Sequence, residues 1–462
     1  MKRTTIQRRD FMKWSAASLS AIGIGHMPPF LRRTLAEPLV NGRKILFIFL
    51  RGGIDAVQAA IPYGDQGLGS EKPSYGVARP NLGVLEADAI DLNGFCKLNP
   101  AMQSTDANGP RVADIFHGDL DERGMNLAVL HRIGYGQQNR SHFNSQQFWE
   151  NAVPGDLLLE QGFLNRWVTA YPDATSPLQA ATLGGNQVVL MKGDTLIPVL
   201  RSVDDFALPP NALLGSFPTL ENPIGTGLKG AYGQTTFRTG VPYNSTTYGT
   251  GSTLLENLQF FEDNVRSIPY EPEANAAPLY DAISDRRFRG FVRDCARLLK
   301  QVDTLQIVGC DQGGYDTHGS EDTRFPTLVG DLGLALTALF HDLKEIWDQT
   351  IVVTMSEFGR TSEENGNRGT DHGESTCMFV MGGPVSGGVY NCDPGTWENG
   401  DLFSTANGRY VAHRNDFRSV YRDLIVGHLG DPANKIDQII PNYSDIASAD
   451  TNGYFNSLGF LT

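Results

Sequence analysis

Residues able to bind a metal ion or take part in hydrolysis recur at five places along the chain, each beside a short apolar run. The candidate metal ligands are Asp55, Asp316, His318, Glu357, Asp371 and His372. The candidates for catalysis or substrate binding are Ser141, His142, Arg51, Arg140 and Arg360. The set favours metal-assisted hydrolysis, because divalent ions such as zinc and manganese take carboxylate and imidazole ligands in proteins.

The candidate side chains suit the hydrolysis of a small anionic ester. Two metal ions about 3.5–4 Å apart can hold a phosphoryl group while they activate the nucleophile and stabilise the leaving oxygen. A hydroxyl group at such a site becomes a nucleophile, and Ser141 could have this role. The arginines could pair with the anionic substrate, or they could neutralise the neighbouring carboxylates. The expected cofactor is one or more divalent ions, with zinc, manganese and calcium all open.

Several of these residues also have a purely structural explanation. Asp55 follows a Gly-Gly turn and could cap a helix. Asp316 and His318 could cap the helix that follows them, and His142 could pack within a loop. Glu357 is expected directly at a strand end, where an unpaired carboxylate would be costly, so a ligand role is favoured there.

The elements that must position these residues alternate between strands and helices. Continuous apolar runs predict strands at Lys44–Leu50, Asn126–Leu130, Thr304–Gly309, Thr350–Met355 and Cys377–Met381. Apolar residues at helical spacing predict helices at Leu254–Val265, Phe288–Val302, Phe325–Trp347 and Asp416–Leu429. Continuous rather than alternating strands indicate burial on both faces of a sheet. We therefore expect an α/β fold with a large, mainly parallel central sheet flanked by helices.

The candidate residues follow four of the predicted strands and precede the fifth. In open α/β sheets, ligands bind beyond the carboxyl ends of the strands. We therefore expect the five segments to meet at one edge of the sheet, although they are distant in sequence.

The N-terminal segment has the pattern of an export signal. Arg8 and Arg9 are followed by an acidic spacer, two apolar residues and a lysine, and then by a short apolar stretch that ends before Pro28. With a small-residue cleavage point near Ala36, residues 1–36 resemble a twin-arginine (Tat) signal peptide; a basic amphipathic helix is the alternative. A periplasmic or secreted protein is expected, with the Tat translocon as its partner during export.

The composition of the chain limits its domain organisation and its possible partners. Of 462 residues, 40% are hydrophobic and 19% charged, which supports a sizeable core in a single domain over residues 37–462. Residues 62–110 and 205–253 are rich in turn-forming residues, and the second stretch is predicted to be an insertion. A net charge of −14 argues against nucleic acid as a partner. No apolar run is long enough for a transmembrane helix, and the five cysteines lack the spacing of a zinc ribbon.

Six motifs spread over the chain read LRGGID, RSHF, GGYDTH, MSEFGRT, GTDHG and DFRSVYRDLIVGHLG. In these motifs the sequence resembles the DUF1501 proteins, a large Tat-exported bacterial family of mostly undetermined function. The resemblance extends over nearly the whole chain after residue 36. That family is in turn similar to the alkaline phosphatase superfamily, which includes sulfatases, phosphodiesterases and phosphomutases.

The resemblance implies an alkaline-phosphatase-like mixed sheet with a two-metal site. By this resemblance Asp55 would match the aspartate after the first strand, which belongs to the second metal site. Ser141 would match the nucleophile position, and Asp316 with His318 the Asp/His pair of the first metal site. Glu357 would match an aspartate at a strand end.

The late metal-binding histidine of the superfamily would correspond to His372. The sequence departs from the superfamily at Glu357-Phe358, where Asp-His is usual, so a second metal would need another imidazole such as that of His142. The sulfatase motif Cys/Ser-x-Pro-x-Arg is absent. Two hypotheses remain: an exported metal-dependent hydrolase of phosphate esters, ahead of sulfate esters, and a non-catalytic periplasmic binding protein with a degenerate metal site.

Overall fold

The structure is a computed structural model of the chain. It describes residues 42–65, 75–103, 112–120, 123–173, 178–185, 187–206, 251, 255–397, 402, 408–431 and 434–462. The predicted signal peptide at 1–36 lies outside these residues, as does almost all of the predicted insertion at 205–253. No helix of the described part is long and apolar enough to cross a membrane.

A nine-stranded sheet forms the centre of the protein. Its strands are β1 (Lys44–Leu50), β5 (Leu127–Gly134), β6 (Ala180–Leu183), β7 (Val199–Leu200), β8 (Ile307–Gln312), β9 (Thr350–Met355), β10 (Thr376–Gly382), β11 (Gly388–Tyr390) and β12 (Asn415–Asp416). The order across the sheet is β11-β5-β10-β9-β1-β8-β6-β7, and β12 also pairs with β5. The remaining strands, β2 (Ala60–Pro62), β3 (Ile90–Asp91) and β4 (Cys96–Leu98), form a small antiparallel sheet within the predicted turn-rich stretch.

Most of the strand pairs in the large sheet are parallel, which confirms the predicted fold class. Strand β1 lies between β8 and β9 and is parallel to both, with Phe47 opposite Gly309 on one side and Val353 on the other. All seven residues of β1 are buried, as its continuous apolar sequence predicts. Strand β10 is the exception, because it is antiparallel to both β9 and β5.

Helices cover both faces of the sheet. The α-helices of the described residues include α1 (Ala56–Ala59), α2 (Tyr75–Ala78), α3 (Val112–His117), α4 (His142–Asn151), α5 (Phe163–Ala170), α6 (Ala277–Ala282), α7 (Arg286–Gln301), α8 (Glu321–Asp342), α9 (Phe417–Arg422), α10 (Ile436–Ile439) and α11 (Tyr443–Ala449). Alternate residues of β1 contribute to two separate cores: Leu46 and Ile48 to one, Ile45 and Phe47 to the other. The sheet is therefore sandwiched between two helical layers.

The predicted helices form, with different ends. The predicted helix Phe325–Trp347 begins four residues earlier, at Glu321, and ends at Asp342, where a 3₁₀ segment Lys344–Gln349 takes over. The predicted helix Asp416–Leu429 begins at Phe417, because the Asp416 side chain caps it through the amide of Arg418. It then changes into a π-helix at Asp423–Gly430. These differences lie at helix ends, where hydrophobic periodicity carries little information.

Candidate metal centre

The direction of the strands explains why the candidate residues meet. Strands β1, β8 and β9 run in parallel, so their carboxyl ends share one edge of the sheet. Strand β10 runs the other way, and its beginning therefore lies at the same edge. An isolated antiparallel bridge pairs Arg360, just after β9, with His372, just before β10. Strand β5 ends at this edge too, and the chain then enters α4 at His142.

Three imidazoles surround one carboxylate oxygen. Oδ1 of Asp316 lies 3.3 Å from Nε2 of His142, 3.1 Å from Nε2 of His318 and 3.2 Å from Nε2 of His372. The Nε2 atoms of His318 and His372 are 2.9 Å apart. Among the described residues, His142, Asp316 and His372 are the group whose ligand atoms lie within 4.8 Å of one another. His318 adds a fourth potential ligand beside this group, which we call the metal-site cluster: His142, Asp316, His318 and His372.

The other ring nitrogen of each histidine faces an oxygen acceptor. Nδ1 of His142 lies 2.9 Å from Oε1 of Glu357, and Nδ1 of His318 lies 3.1 Å from Oδ1 of Asp371. Nδ1 of His372 lies 2.7 Å from the carbonyl oxygen of Arg140. Because ionised carboxylates and carbonyl groups only accept hydrogen bonds, these partners assign the ring hydrogen to Nδ1. In the neutral rings, each Nε2 then presents its lone pair to the cluster, as in histidine ligands of metal ions.

One ring nitrogen in the cluster has no hydrogen-bond partner. Nε2 of His142 is buried and makes no hydrogen bond, although Oδ1 of Asp316 lies 3.3 Å away, and a buried polar atom without a hydrogen bond is costly. The hydrogen bond that His142 donates to Glu357 raises the pKa of His142, with burial opposing it, whereas burial lowers the pKa of His372. A cation at Nε2, either a proton or a metal ion, would satisfy the unpaired atom of His142. The donor set, three nitrogens and one carboxylate oxygen, fits zinc or manganese better than calcium, which prefers oxygen ligands.

Asp316 is held in its ionised form. Burial disfavours the charged carboxylate, but the hydrogen bond and charge of Arg360, aided by His372, outweigh burial and lower the pKa of Asp316 to about 2. The guanidinium of Arg360 lies 2.8 Å from Oδ1 and also donates to main-chain carbonyls, including those of Gly53 and Tyr315. Its side chain is fully buried. The structure therefore places Arg360 beneath the cluster, where it neutralises Asp316 instead of facing a substrate.

Glu357 lies behind the cluster. Its carboxylate is buried, and Oε1 accepts hydrogen bonds from the amide of Gly52, from Gln146 and from His142. Burial raises the pKa of Glu357, but the bonds from His142 and Gln146 lower it by more. The predicted ligand Glu357 thus contacts the Nδ1 side of His142, and Asp371 likewise contacts the Nδ1 side of His318. Both carboxylates orient histidines in this structure.

Asp55 is the predicted ligand that the structure places apart from the cluster. Its Oδ1 accepts a hydrogen bond from the amide of Gln58 and caps α1, and its Oδ2 forms an ion pair of 2.7 Å with Arg79. Both side chains are fully buried. The helix-capping alternative thus describes what Asp55 does here. Its charge is compensated by Arg79, which no motif had singled out.

Ser141, Arg140 and Arg51 surround the cluster at different depths. Ser141 is exposed at the N-cap position of α4, and its side chain makes no capping hydrogen bond. Arg140 is partly exposed, pairs with Glu374 at 3.0 Å and stacks on Tyr410. Arg51 is engaged by Glu150 and Asp311. Arg140 is thus the one of the three predicted arginines whose position suits contact with a ligand.

Sequence reasoning missed two polar residues of the site. Gln146 lies one turn after His142 on α4 and donates to the same carboxylate oxygen of Glu357, so its spacing of four residues is a usable signal. Arg409 pairs with Asp371, the partner of His318, and lies in a stretch without any motif. Arg409 is the second partly exposed arginine near the cluster, besides Arg140.

A buried phenyl ring fills the place next to two of the imidazoles. The ring centre of Phe358 lies 4.9 Å from that of His142 and 4.7 Å from that of His372. The site thus has an apolar wall beside His142 and His372.

Comparison with known proteins gives weak likenesses in structure and a family match in sequence. The alkaline phosphatase of the Antarctic bacterium TAB5 is 8% identical with a TM-score of 0.26, and the similarity covers 78% of this chain and 96% of that one. The lipoteichoic acid synthase LtaP of Listeria monocytogenes is 9% identical with a TM-score of 0.25, covering 81% and 73% respectively. No protein with a curated description matches the sequence. Residues 273–399, which include three of the six motifs, match the model of the DUF1501 family, described as a protein of unknown function, and this match confirms the resemblance.

Proposed function

We propose that this protein is an exported metal-dependent hydrolase of phosphate esters, with sulfate esters as the second substrate class. The observation that carries the proposal is the arrangement of three Nε2 atoms around Oδ1 of Asp316, each ring held by an acceptor at Nδ1. Structural histidines rarely need this arrangement, whereas histidines that bind a metal ion usually have such partners.

The proposed roles follow from position. The metal-site cluster would hold a divalent ion, which would supply positive charge to an ester oxygen and acidify an oxygen nucleophile. Glu357 and Asp371 keep two of the ligand rings in place. Ser141 is the proposed nucleophile, because its free hydroxyl lies at the positive N-terminal end of α4, directly before a ligand. Arg140 and Arg409, the two partly exposed arginines near the cluster, would bind the anionic oxygens of the ester that the metal ion does not contact.

Two variants separate metal binding from chemistry. In Ser141→Ala we expect turnover of an aryl phosphate to fall about 100-fold or more, with an unchanged metal content, because a nucleophile acts in the transition state. In His372→Ala we expect both turnover and metal content to fall. His117→Ala, at an exposed histidine that is not part of the cluster, is the matched control. Metal content is measured by plasma mass spectrometry, and turnover by product release with zinc or manganese supplied.

One observation favours the second candidate, a non-catalytic binding protein. Asp55 forms an ion pair with Arg79, and Phe358 stands beside the cluster where a second metal site would need an imidazole. The described residues therefore offer ligands for one ion instead of two. Stoichiometric metal without turnover of any phosphate or sulfate ester would decide for this candidate. Absence of bound metal after incubation with zinc or manganese would contradict the hydrolase and leave a binding protein whose metal site is degenerate.

A further inference from the structure

An exposed aromatic side chain stands next to the metal-site cluster. Phe143 follows His142 in the first turn of α4 and is 87% exposed. An exposed apolar side chain contributes little to the free energy of folding, because its surface stays in water. Its neighbours in sequence are an exposed arginine, a free hydroxyl and a candidate ligand, in the order Arg140, Ser141, His142 and Phe143.

The geometry of α4 places further apolar surface on the same side as Phe143. His142 and Gln146, four residues apart, both point to Glu357. Phe143 and Gln147 share the adjacent face of the helix. The side-chain amide of Gln147 donates to the carbonyl of Leu157 at 2.7 Å, so the loop after α4 lies against this face. In that loop Leu157 is 44% exposed and Leu158 is 92% exposed.

The loop holds these leucines in place through its polar groups. Asn151 donates to the carbonyls of Asp156 and Leu159, at 2.9 and 3.0 Å. Oδ1 of Asp156 in turn accepts from the amides of Leu158 and Leu159, at 2.8 and 3.0 Å. Leu158 is thus presented to solvent on a backbone fixed by hydrogen bonds. We call Phe143, Leu157 and Leu158 the apolar rim.

We propose that the apolar rim binds the hydrocarbon part of the substrate's leaving group, so that the substrates are phosphate esters with an alkyl or aryl-alkyl chain. This inference rests on the proposed function. Arg140, two residues before His142, carries positive charge, and Phe143, directly after His142, is apolar. A ligand that reaches the cluster can therefore place an anionic head near Arg140 and a hydrocarbon chain on Phe143 and Leu158.

The test compares 4-methylphenyl phosphate with 4-octylphenyl phosphate, whose leaving phenols are nearly equally acidic. For the wild type we expect a higher kcat/KM with the octyl ester. Phe143→Ser and Leu158→Ser should each lower kcat/KM for the octyl ester by about tenfold and leave that for the methyl ester unchanged. The matched control is Leu85→Ser, which changes a leucine that is also strongly exposed, at 72%, but lies outside the rim.

Binding of the corresponding non-hydrolysable phosphonates gives a second readout that does not need turnover. Tighter binding of the octyl phosphonate, lost in Leu158→Ser, supports the inference even if neither ester is cleaved, and in that case only the proposed hydrolysis fails. Equal kcat/KM and equal binding for the two chain lengths overturn the inference and leave the proposed hydrolysis standing. A third outcome would also overturn the inference. If the wild type binds phosphatidylglycerol vesicles, Leu158→Ser abolishes this binding, and neither chain length is preferred, the apolar rim binds a membrane surface instead of a substrate chain.

Discussion

The three histidines of the cluster differ in what holds their Nδ1 atoms. His142 has a buried carboxylate, His318 has a carboxylate shared with Arg409, and His372 has a main-chain carbonyl. A carboxylate makes the opposite nitrogen a stronger ligand than a carbonyl does. Because Glu357 is fully buried and Asp371 is partly exposed, we expect Glu357 to have the larger influence on metal affinity.

Glu357→Gln tests this influence. We expect the affinity for zinc to fall about 10–100-fold, because the neutral amide polarises the imidazole of His142 less than a carboxylate does. Affinity is measured by competition with a chromophoric chelator. Glu345→Gln, at an exposed glutamate outside the site, should leave it unchanged. Equal affinities in Glu357→Gln and wild type would contradict the positioning role.

The cluster itself could be predicted from the sequence, but the partners of its members could not. Asp316 and His318 lie in the segment after β8, His142 in the segment after β5 and His372 in the segment before β10. The rule for ligand sites in α/β sheets therefore selected them. The same rule selected Asp55, because a carboxylate after a strand looks alike in sequence whether it binds a metal ion or an arginine. Only the folded chain shows that Arg79 reaches it.

At the scale of elements, the turn after β1 brings two strand ends into contact. Gly52 has a φ of +116°, and a Cβ atom there would lie 2.4 Å from the amide nitrogen of Asp316. Its own amide donates to Glu357 at 2.9 Å. The β1 and β8 loops can therefore approach each other only if this residue lacks a side chain.

The same substitution should have opposite effects at two glycines. Gly52→Ala should lower the free energy of unfolding by about 2–4 kcal/mol, because both the positive φ and the clash with main-chain atoms must be relieved. Gly290→Ala should raise it by about 0.5–1 kcal/mol, since this glycine lies within α7 in open space. Urea unfolding measures both. A neutral Gly52→Ala would show that the two loops are not tightly packed.

The ends of some strands followed from the sequence, but the pairing of strands did not. Strands β1 and β9 have the predicted ends, because continuous apolar runs bounded by polar residues mark a doubly buried strand. The antiparallel direction of β10 and the small sheet β2-β4-β3 depend on pairing between distant segments. No local pattern of two or three residues specifies such pairing.

At the scale of the molecule, two histidines outside the site are buried in the neutral form. Burial lowers the pKa of His131 and that of His428 to about 4, from an ordinary value of 6.5. Between pH 6.5 and pH 4 the unfolded chain therefore binds more protons at these residues than the folded protein does. The stability of the folded state should fall as the pH decreases through this window.

His428→Gln tests the contribution of one of the two. Nε2 of His428 lies 3.0 Å from the carbonyl of Lys44, and a glutamine amide can donate to the same oxygen. In wild type, lowering the pH from 7 to 5 should cost about 2 kcal/mol at this histidine. The variant should lose correspondingly less stability between these pH values in urea unfolding. The same pH dependence in both proteins would contradict the assignment.

The proposed export through the Tat pathway can also be tested at the scale of the whole molecule. Replacing both Arg8 and Arg9 by lysine should leave uncleaved precursor in the cytoplasm, because the Tat pathway recognises the arginine pair. Cell fractionation and immunoblotting measure the distribution. A normal periplasmic yield in a strain without the Tat translocon would show that the segment is not a Tat signal.

The central position of β1 has a consequence for biosynthesis. Lys44 at its start bonds to the carbonyl of Leu305, 261 residues later, and its other neighbour, β9, is made later still. At about 5–20 residues per second, β1 leaves the ribosome roughly 13–52 s before its first partner exists. During this time seven consecutive residues with the sequence KILFIFL are without the strands that bury them. Nascent chains should therefore depend on a chaperone that shields this segment, and depletion of ribosome-associated chaperones should reduce the soluble yield more than synthesis at a lower temperature does.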